Sequence, residues 1–209
     1  MAAPGVVAQQ VNGWVRRVPA WPLYLLGAAW MAWLFFRAAT DFTLVEPIDW
    51  LEREYGITAL QLLVATLAVT PLRRFAGVNL LKFRRALGLL VFFFVLAHFL
   101  VWAVLDVQAL AAVWADILKR PYVTVGMAGF LLLIPLALTS NNASVRKLGG
   151  AGWRRLHWLT YPTAVLGAVH YIWLARGFAI EPLVYLGLIL ALLATRLPFG
   201  RLLAQRRTA

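Results

Sequence analysis

The sequence predicts an all-α integral membrane protein: a six-transmembrane-helix bundle with both termini cytoplasmic. Three observations predict it. Of its 209 residues, 63% are apolar and 13% charged, whereas a soluble domain carries about 45–50% apolar and about 25% charged residues. The apolar residues gather into six runs of near-spanning length, where roughly 20 residues cross about 30 Å of hydrocarbon. The charges between those runs sort by side. This composition excludes an ordinary soluble globule and a disordered chain.

The runs fall at about 20–36, 56–72, 87–105, 122–139, 156–175 and 182–198, each apolar enough to read as a span. The first is no cleaved signal peptide, because no small-residue cleavage site follows it and Arg37 and an acidic stretch come next. The connections are short, so residues 1–209 read as a single transmembrane domain. Residues 41–55 (DFTLVEPIDWLEREY) read either as a short amphipathic helix on the outer surface, anchored by Trp50 and Tyr55, or as a solvated loop.

The net charge of +12 comes from 20 Lys and Arg against 8 Asp and Glu. One side of the bundle takes Arg16, Arg17, Arg73, Arg74, Lys82, Arg84, Arg85, Arg146, Lys147, Arg154, Arg155, Arg196, Arg201, Arg206 and Arg207, and no acid. The other takes Arg37, Arg53, Lys119, Arg120 and Arg176, with all the acids: Asp41, Glu46, Asp49, Glu52, Glu54, Asp106, Asp116 and Glu181. The positive-inside rule puts the first side in the cytoplasm. An even number of spans then returns both termini there. The charge excess is a topological signal, and no nucleic-acid partner is expected from it.

The acids lie at or beyond the span ends, so the three histidines are the ionisable groups to examine, and such groups mark functional sites by default. At about 1.5 Å per residue, His98 lies roughly 3 Å and His170 roughly 7 Å outward of the bilayer centre, on parallel helices. Two imidazoles in one layer can supply both axial ligands of a haem iron in a bundle core. The plainer alternative has each histidine bonding a backbone carbonyl or hydroxyl across helices. The absence of cysteine leaves a haem here non-covalent, of b type, and removes disulfides, Fe–S clusters and thiol nucleophiles. His157 lies roughly 13 Å inward, beside Trp153, Arg154, Arg155 and Trp158. That basic, aromatic surround suits a propionate, a flavin phosphate or a quinone head group, or is an interfacial anchor belt. Pro162 between His157 and His170 is placed to kink the helix.

The pattern resembles the ferric-reductase-like transmembrane domain, with a histidine in span 3 and an H-x12-H pair in span 5. More closely, it resembles the haem-binding membrane subunits of periplasmic methionine sulfoxide reductase systems. The residues carrying this are Thr70-Pro71-Leu72, Arg84-Arg85, Leu87-Gly88-Leu89, His98, Arg120-Pro121-Tyr122, Thr124, Gly126, Thr139-Ser140, Trp153, Leu156, His157, Tyr161 and His170-Tyr171. They run in order across nearly the full length.

The resemblance implies a b-type haem protein of the bacterial inner membrane. It would pass electrons from the quinone pool, or a flavin reductase, to a periplasmic molybdenum-cofactor subunit that reduces methionine sulfoxide in proteins, with FMN as a second cofactor. Position 84 is Arg84 where the wider family has a second span-3 histidine, so one haem on His98 and His170 is expected. A second haem, or one using His157, is the alternative ligation. No flavin and nicotinamide domain follows the last span in this sequence. The competing functions are a stand-alone ferric or quinone reductase and a cofactor-free, transporter-like membrane protein.

Overall fold

The computed structural model describes residues 5–175 and 179–196. Among the described residues all regular structure is helical, in the order α1 (Val6–Arg17), α2 (Trp21–Thr40), α3 (Pro47–Pro71), α4 (Arg84–Leu100), α5 (Leu110–Lys119), α6 (Pro121–Leu138), α7 (Asn142–Leu156), α8 (Thr160–Leu174) and α9 (Ile180–Ala194). Two helices continue as π-helical turns, α3 through Leu72–Ala76 and α4 through Val101–Asp106.

Among the described residues four helical stretches are long and apolar enough to cross a membrane: Trp21–Thr40, Pro47–Ala76, Leu81–Asp106 and Pro121–Leu138. The fifth and sixth expected spans correspond to α8 and α9, which have 15 residues each and so reach only about 22 Å. Residues 197 and 198 of the sixth run lie outside the described residues, as do Arg176, Arg201, Arg206 and Arg207.

Two boundaries and one connection differ from the sequence reading. The second span begins at Pro47, not 56. Pro47 opens α3 with its fixed φ, and Asp49 lies in the first turn, where a carboxylate meets the positive end of the helix dipole. Residues 47–55 are thus the first turns of α3, neither a separate surface helix nor a loop. Tyr55, expected as an interfacial anchor, is buried, and its hydroxyl donates to the Met31 carbonyl at 2.9 Å. The helix at the expected fifth span begins at Thr160, not 156, because His157–Leu159 form a 3-10 turn. Pro162 therefore sits in the first turn of α8, where a missing N–H costs little, and does not kink a continuous helix. The stretch between spans 4 and 5 is helix α7, capped by the Asn141 side chain accepting from the Ser144 N–H at 2.8 Å.

The centre of the bundle is α3. It buries Leu51, Tyr55, Ala59, Leu60, Leu63, Thr66, Leu67, Val69 and Pro71, with only Leu34 buried on α2. One core cluster joins Leu60, Leu63 and Leu67 to Val91, Leu133, Leu136, Ala164, Ala168 and Ile189. A second joins Leu51, Tyr55 and Ala59 to Leu34, Phe94 and Val101. On α2 the large apolar side chains face outward: Trp21, Leu25, Leu26, Trp30, Trp33, Phe35 and Phe36 are all exposed. An apolar surface of that extent on a helix of spanning length suits lipid as solvent.

Hydrogen bonds tie the basic segments together at one end. The Arg74 guanidinium donates to the Thr195 carbonyl at 2.8 Å, Lys82 to the Arg16 carbonyl at 3.2 Å, and Arg196 to the Leu67 carbonyl and the Tyr161 hydroxyl at 2.9 and 3.0 Å. Asn12 of α1 bonds the loop after the first π turn, donating to the Gly77 carbonyl and accepting from the Asn79 N–H. Gly77 closes that turn at φ 69°, a conformation that costs glycine nothing.

Candidate functional site

The structure brings His98 and His170 together and leaves His157 apart. His98 is on α4, three residues before its π-helical extension, and His170 is near the end of α8. Their ring centres are 6.1 Å apart and their planes cross at 81°. Each ring is fixed by a helix beside its own. The His98 Nδ1–H donates to the Glu52 carbonyl of α3 at 2.8 Å, and the His170 Nδ1–H donates to the Tyr122 carbonyl of α6 at 2.7 Å. A carbonyl only accepts, so each Nδ1 carries the proton and each Nε2 keeps its lone pair.

That is the state a metal-ligating imidazole requires, and a carbonyl on the other nitrogen is its usual support. A metal–imidazole nitrogen bond is about 2.0 Å, so two rings on one metal have centres roughly 6 Å apart. The observed separation meets that spacing. Among the described residues no cluster of three or more His, Cys, Asp or Glu converges. The pair therefore suits a metal whose remaining ligands come with a prosthetic group.

The segment Arg120-Pro121-Tyr122, with Thr124 and Gly126, gains a physical reading from this geometry. Pro121 opens α6, and the Arg120 guanidinium bonds the Tyr122 hydroxyl at 3.2 Å and pairs with Asp116 at 3.4 Å. The Thr124 hydroxyl donates to the Ile117 carbonyl, stitching α6 to α5. The start of α6 is thereby held where the Tyr122 carbonyl meets His170. The Tyr122 ring lies 6.5 Å from the His170 ring.

The aromatic residues near the pair are engaged with one another. Phe99 stacks on Phe130 at 5.2 Å and lies 5.9 Å from Trp102, and Phe92 also stacks on Phe130, at 6.1 Å. Phe94 is buried edge-on to Tyr55 at 5.9 Å, so it packs the core. Tyr171 faces Tyr185 at 6.2 Å.

His157 lies in the 3-10 turn before α8, stacked on Trp153 with ring centres 3.7 Å apart. Its Nδ1–H donates to the Trp153 carbonyl at 3.0 Å, and its Nε2 is buried without a partner among the described residues. The Trp153 indole N–H donates to the Thr139 carbonyl at 2.8 Å, which fixes the stack against the end of α6. Arg154 and Arg155, in the last turn of α7, are exposed. Sequence reasoning missed the Glu52 and Tyr122 carbonyls as acceptors for the two rings, and Gly56.

A half-buried histidine pair, each ring tied to a backbone carbonyl of the helix beside its own, defines the class. The chain belongs to the ferric reductase like transmembrane component family, which matches residues 55–168, from α3 into α8. Curated relatives narrow this further. A protein of Agrobacterium fabrum named protein-methionine-sulfoxide reductase heme-binding subunit MsrQ is 43% identical over 188 residues, 90% of this chain and 87% of that protein. Proteins with the same name are 45% identical over 188 residues in Rhizobium meliloti (90% and 87% coverage) and 44% over 179 residues in Brucella anthropi (85% and 80%). At this identity and coverage the chain is a member of the MsrQ family.

Proposed function

We propose that this chain is the haem-binding, electron-transferring membrane subunit of a protein-methionine-sulfoxide reductase. The observation that carries the reading is the His98–His170 pair, with both Nδ1 protons committed to carbonyls and the ring centres 6.1 Å apart. The relatives' names as heme-binding subunits support it. His98 and His170 would hold a single b-type haem by their Nε2 atoms. When bound, the haem would supply one-electron transfer, and two imidazole ligands from the protein would suit outer-sphere exchange rather than oxygen binding.

The protein's own part is to hold two neutral imidazoles in fixed orientations. The carbonyls of Glu52 and Tyr122 raise the basicity of each Nε2. The basic end of the bundle, with both termini, faces the cytoplasm in this reading, and α8 and α9 complete a six-span bundle of the inner membrane. Electrons enter at that end from the quinone pool or a separate flavin reductase. Arg154, Arg155 and His157 lie there; the two exposed guanidinium groups offer positive charge to a quinone head group or an FMN phosphate, and the His157 Nε2 keeps a lone pair that a quinol hydroxyl could meet. The acidic end faces the periplasm and receives the molybdenum-cofactor catalytic subunit.

The first test is optical. The chain purified in detergent is expected to show a Soret band and, on dithionite reduction, the sharp α band of a low-spin b haem. A colourless preparation overturns the reading. His157→Ala is expected to keep that spectrum and one haem per chain, because its ring is stacked on Trp153 away from the pair. Loss of haem in that variant would move His157 into the ligand set.

A further inference from the structure

Each histidine of the pair meets the same arrangement on its neighbouring helix. Glu52, whose carbonyl accepts from His98, is followed four residues later by Gly56. Tyr122, whose carbonyl accepts from His170, is followed four residues later by Gly126. A helical side chain leans toward the N-terminus and covers the preceding turn. A side chain at the fourth residue therefore lies over the carbonyl of the first. Glycine leaves that carbonyl open from the side.

The distances show how closely the rings use the opening. A Cβ on Gly126 would lie 2.8 Å from both Nδ1 and Cε1 of His170 and 3.3 Å from its Cγ. A Cβ on Gly56 would lie 3.2 Å from Nδ1 and 3.4 Å from Cε1 of His98. In both cases the nearest atoms belong to the Nδ1 edge of the ring. An imidazole tied by a hydrogen bond to the same helix cannot swing aside as a free alkyl end would.

Glycine costs about 1 kcal/mol relative to alanine inside a helix, so two glycines at these places run against local preference. A Cβ on Gly27 of α2 would also come close, at 2.3 Å, but to the free end of the Leu90 side chain, while two other helical glycines have room. A Cβ on Gly129 of α6 would meet Leu166 at 3.6 Å, and one on Gly167 of α8 would meet Leu60 at 3.8 Å, both ordinary contacts.

We infer that Gly56 and Gly126 are positioning residues: each uncovers the carbonyl one turn before it and seats one imidazole of the His98–His170 pair, setting its tautomer and ring plane. They touch no substrate and act through the histidines. The inference rests on the haem reading for its effect on electron transfer, while the seats themselves belong to the protein alone.

The experiment compares Gly56→Ala and Gly126→Ala with Gly129→Ala and Gly167→Ala in the full-length, detergent-purified protein. Three readouts are taken: haem per chain, the low-spin electron paramagnetic resonance signal with the midpoint potential, and imidazole nitrogen resonances of the reduced, [15N]histidine-labelled chain. Gly126→Ala is expected to lower haem per chain at least threefold, or to shift the low-spin signal and potential beyond the spread of the two controls. Gly56→Ala, with the milder approach, is expected to keep its haem and shift signal and potential in the same way.

The nitrogen spectra are expected to place the proton on Nδ1 of both histidines in the parent. Gly126→Ala should then perturb His170 alone and Gly56→Ala His98 alone. If Gly126→Ala is not recovered folded, Gly56→Ala decides. Seat variants that match the controls in all three readouts overturn the inference. A colourless parent overturns the haem reading instead, and the nitrogen resonances then still decide the seats.

Discussion

His98→Ala and His170→Ala are each expected to abolish the low-spin haem spectrum, and the two losses are not expected to add. One iron needs both axial nitrogens to stay low-spin and hexacoordinate. Removing either ring takes away one of the two ligands and, on the protein side, the imidazole donor to the Glu52 or Tyr122 carbonyl, a bond worth about 1 kcal/mol net, while that carbonyl keeps its bond within its own helix. The double variant should therefore contain no less haem than the poorer of the two single variants.

Pyridine haemochrome quantitation and the reduced α band measure this directly. Reduction of methionine sulfoxide by a co-purified catalytic subunit should fall in parallel, at least a hundredfold, with the catalytic subunit alone still active toward an artificial reductant. A normal low-spin spectrum in either single variant would show that the pair is not the ligand set. A half-normal spectrum in each, with full loss only in the double variant, would point to two sites.

The pair was legible in the sequence because the bilayer makes ionisable residues scarce. Once the apolar runs were drawn, His98 and His170 stood in one layer on parallel helices, and counting at about 1.5 Å per residue sufficed to match them. Their supports were not legible. Glu52 and Tyr122 lie 46 and 48 residues from the histidines they hold, and they act through backbone carbonyls, which every residue type possesses. Gly126 stood within a quoted motif without a reason for being glycine, and Gly56 was passed over as the first residue of a span.

The start of α3 was misplaced for a related cause. Asp49, Glu52, Arg53 and Glu54 make residues 47–55 read as a separate surface helix or a solvated loop, yet Leu51, Tyr55 and Ala59 recur every four residues and are all buried. That stripe was the available signal for a helix starting at Pro47. Helix α7 announced itself similarly, through an Asn141 cap ahead of Ser144. A search for apolar spans has no use for a polar helix and passes over it.

Phe94→Ala is the second large effect expected, and it acts on the same site through packing. Phe94 is 1% exposed and lies one turn before His98 on α4, wedged with Leu34, Leu51, Tyr55, Ala59 and Val101. Its ring meets Tyr55 edge-on at 5.9 Å, and Tyr55 in turn holds α2 through the Met31 carbonyl. Truncation leaves a void between α2, α3 and α4. In a soluble core such a change costs about 3–5 kcal/mol. In lipid the transfer part shrinks, because the side chain leaves one apolar medium for another, while the lost contacts remain. A loss near the lower end, about 3 kcal/mol, is therefore expected. Phe94→Leu, which refills most of the volume, should lose less than half as much.

Thermal unfolding in detergent, followed by loss of the near-ultraviolet circular dichroism signal, measures both variants. Because α4 carries His98 against the Glu52 carbonyl of α3, Phe94→Ala should also weaken haem retention on dilution while Phe94→Leu keeps it. Equal stability of Phe94→Ala and the parent would show that this aromatic wedge does not hold α4 in place.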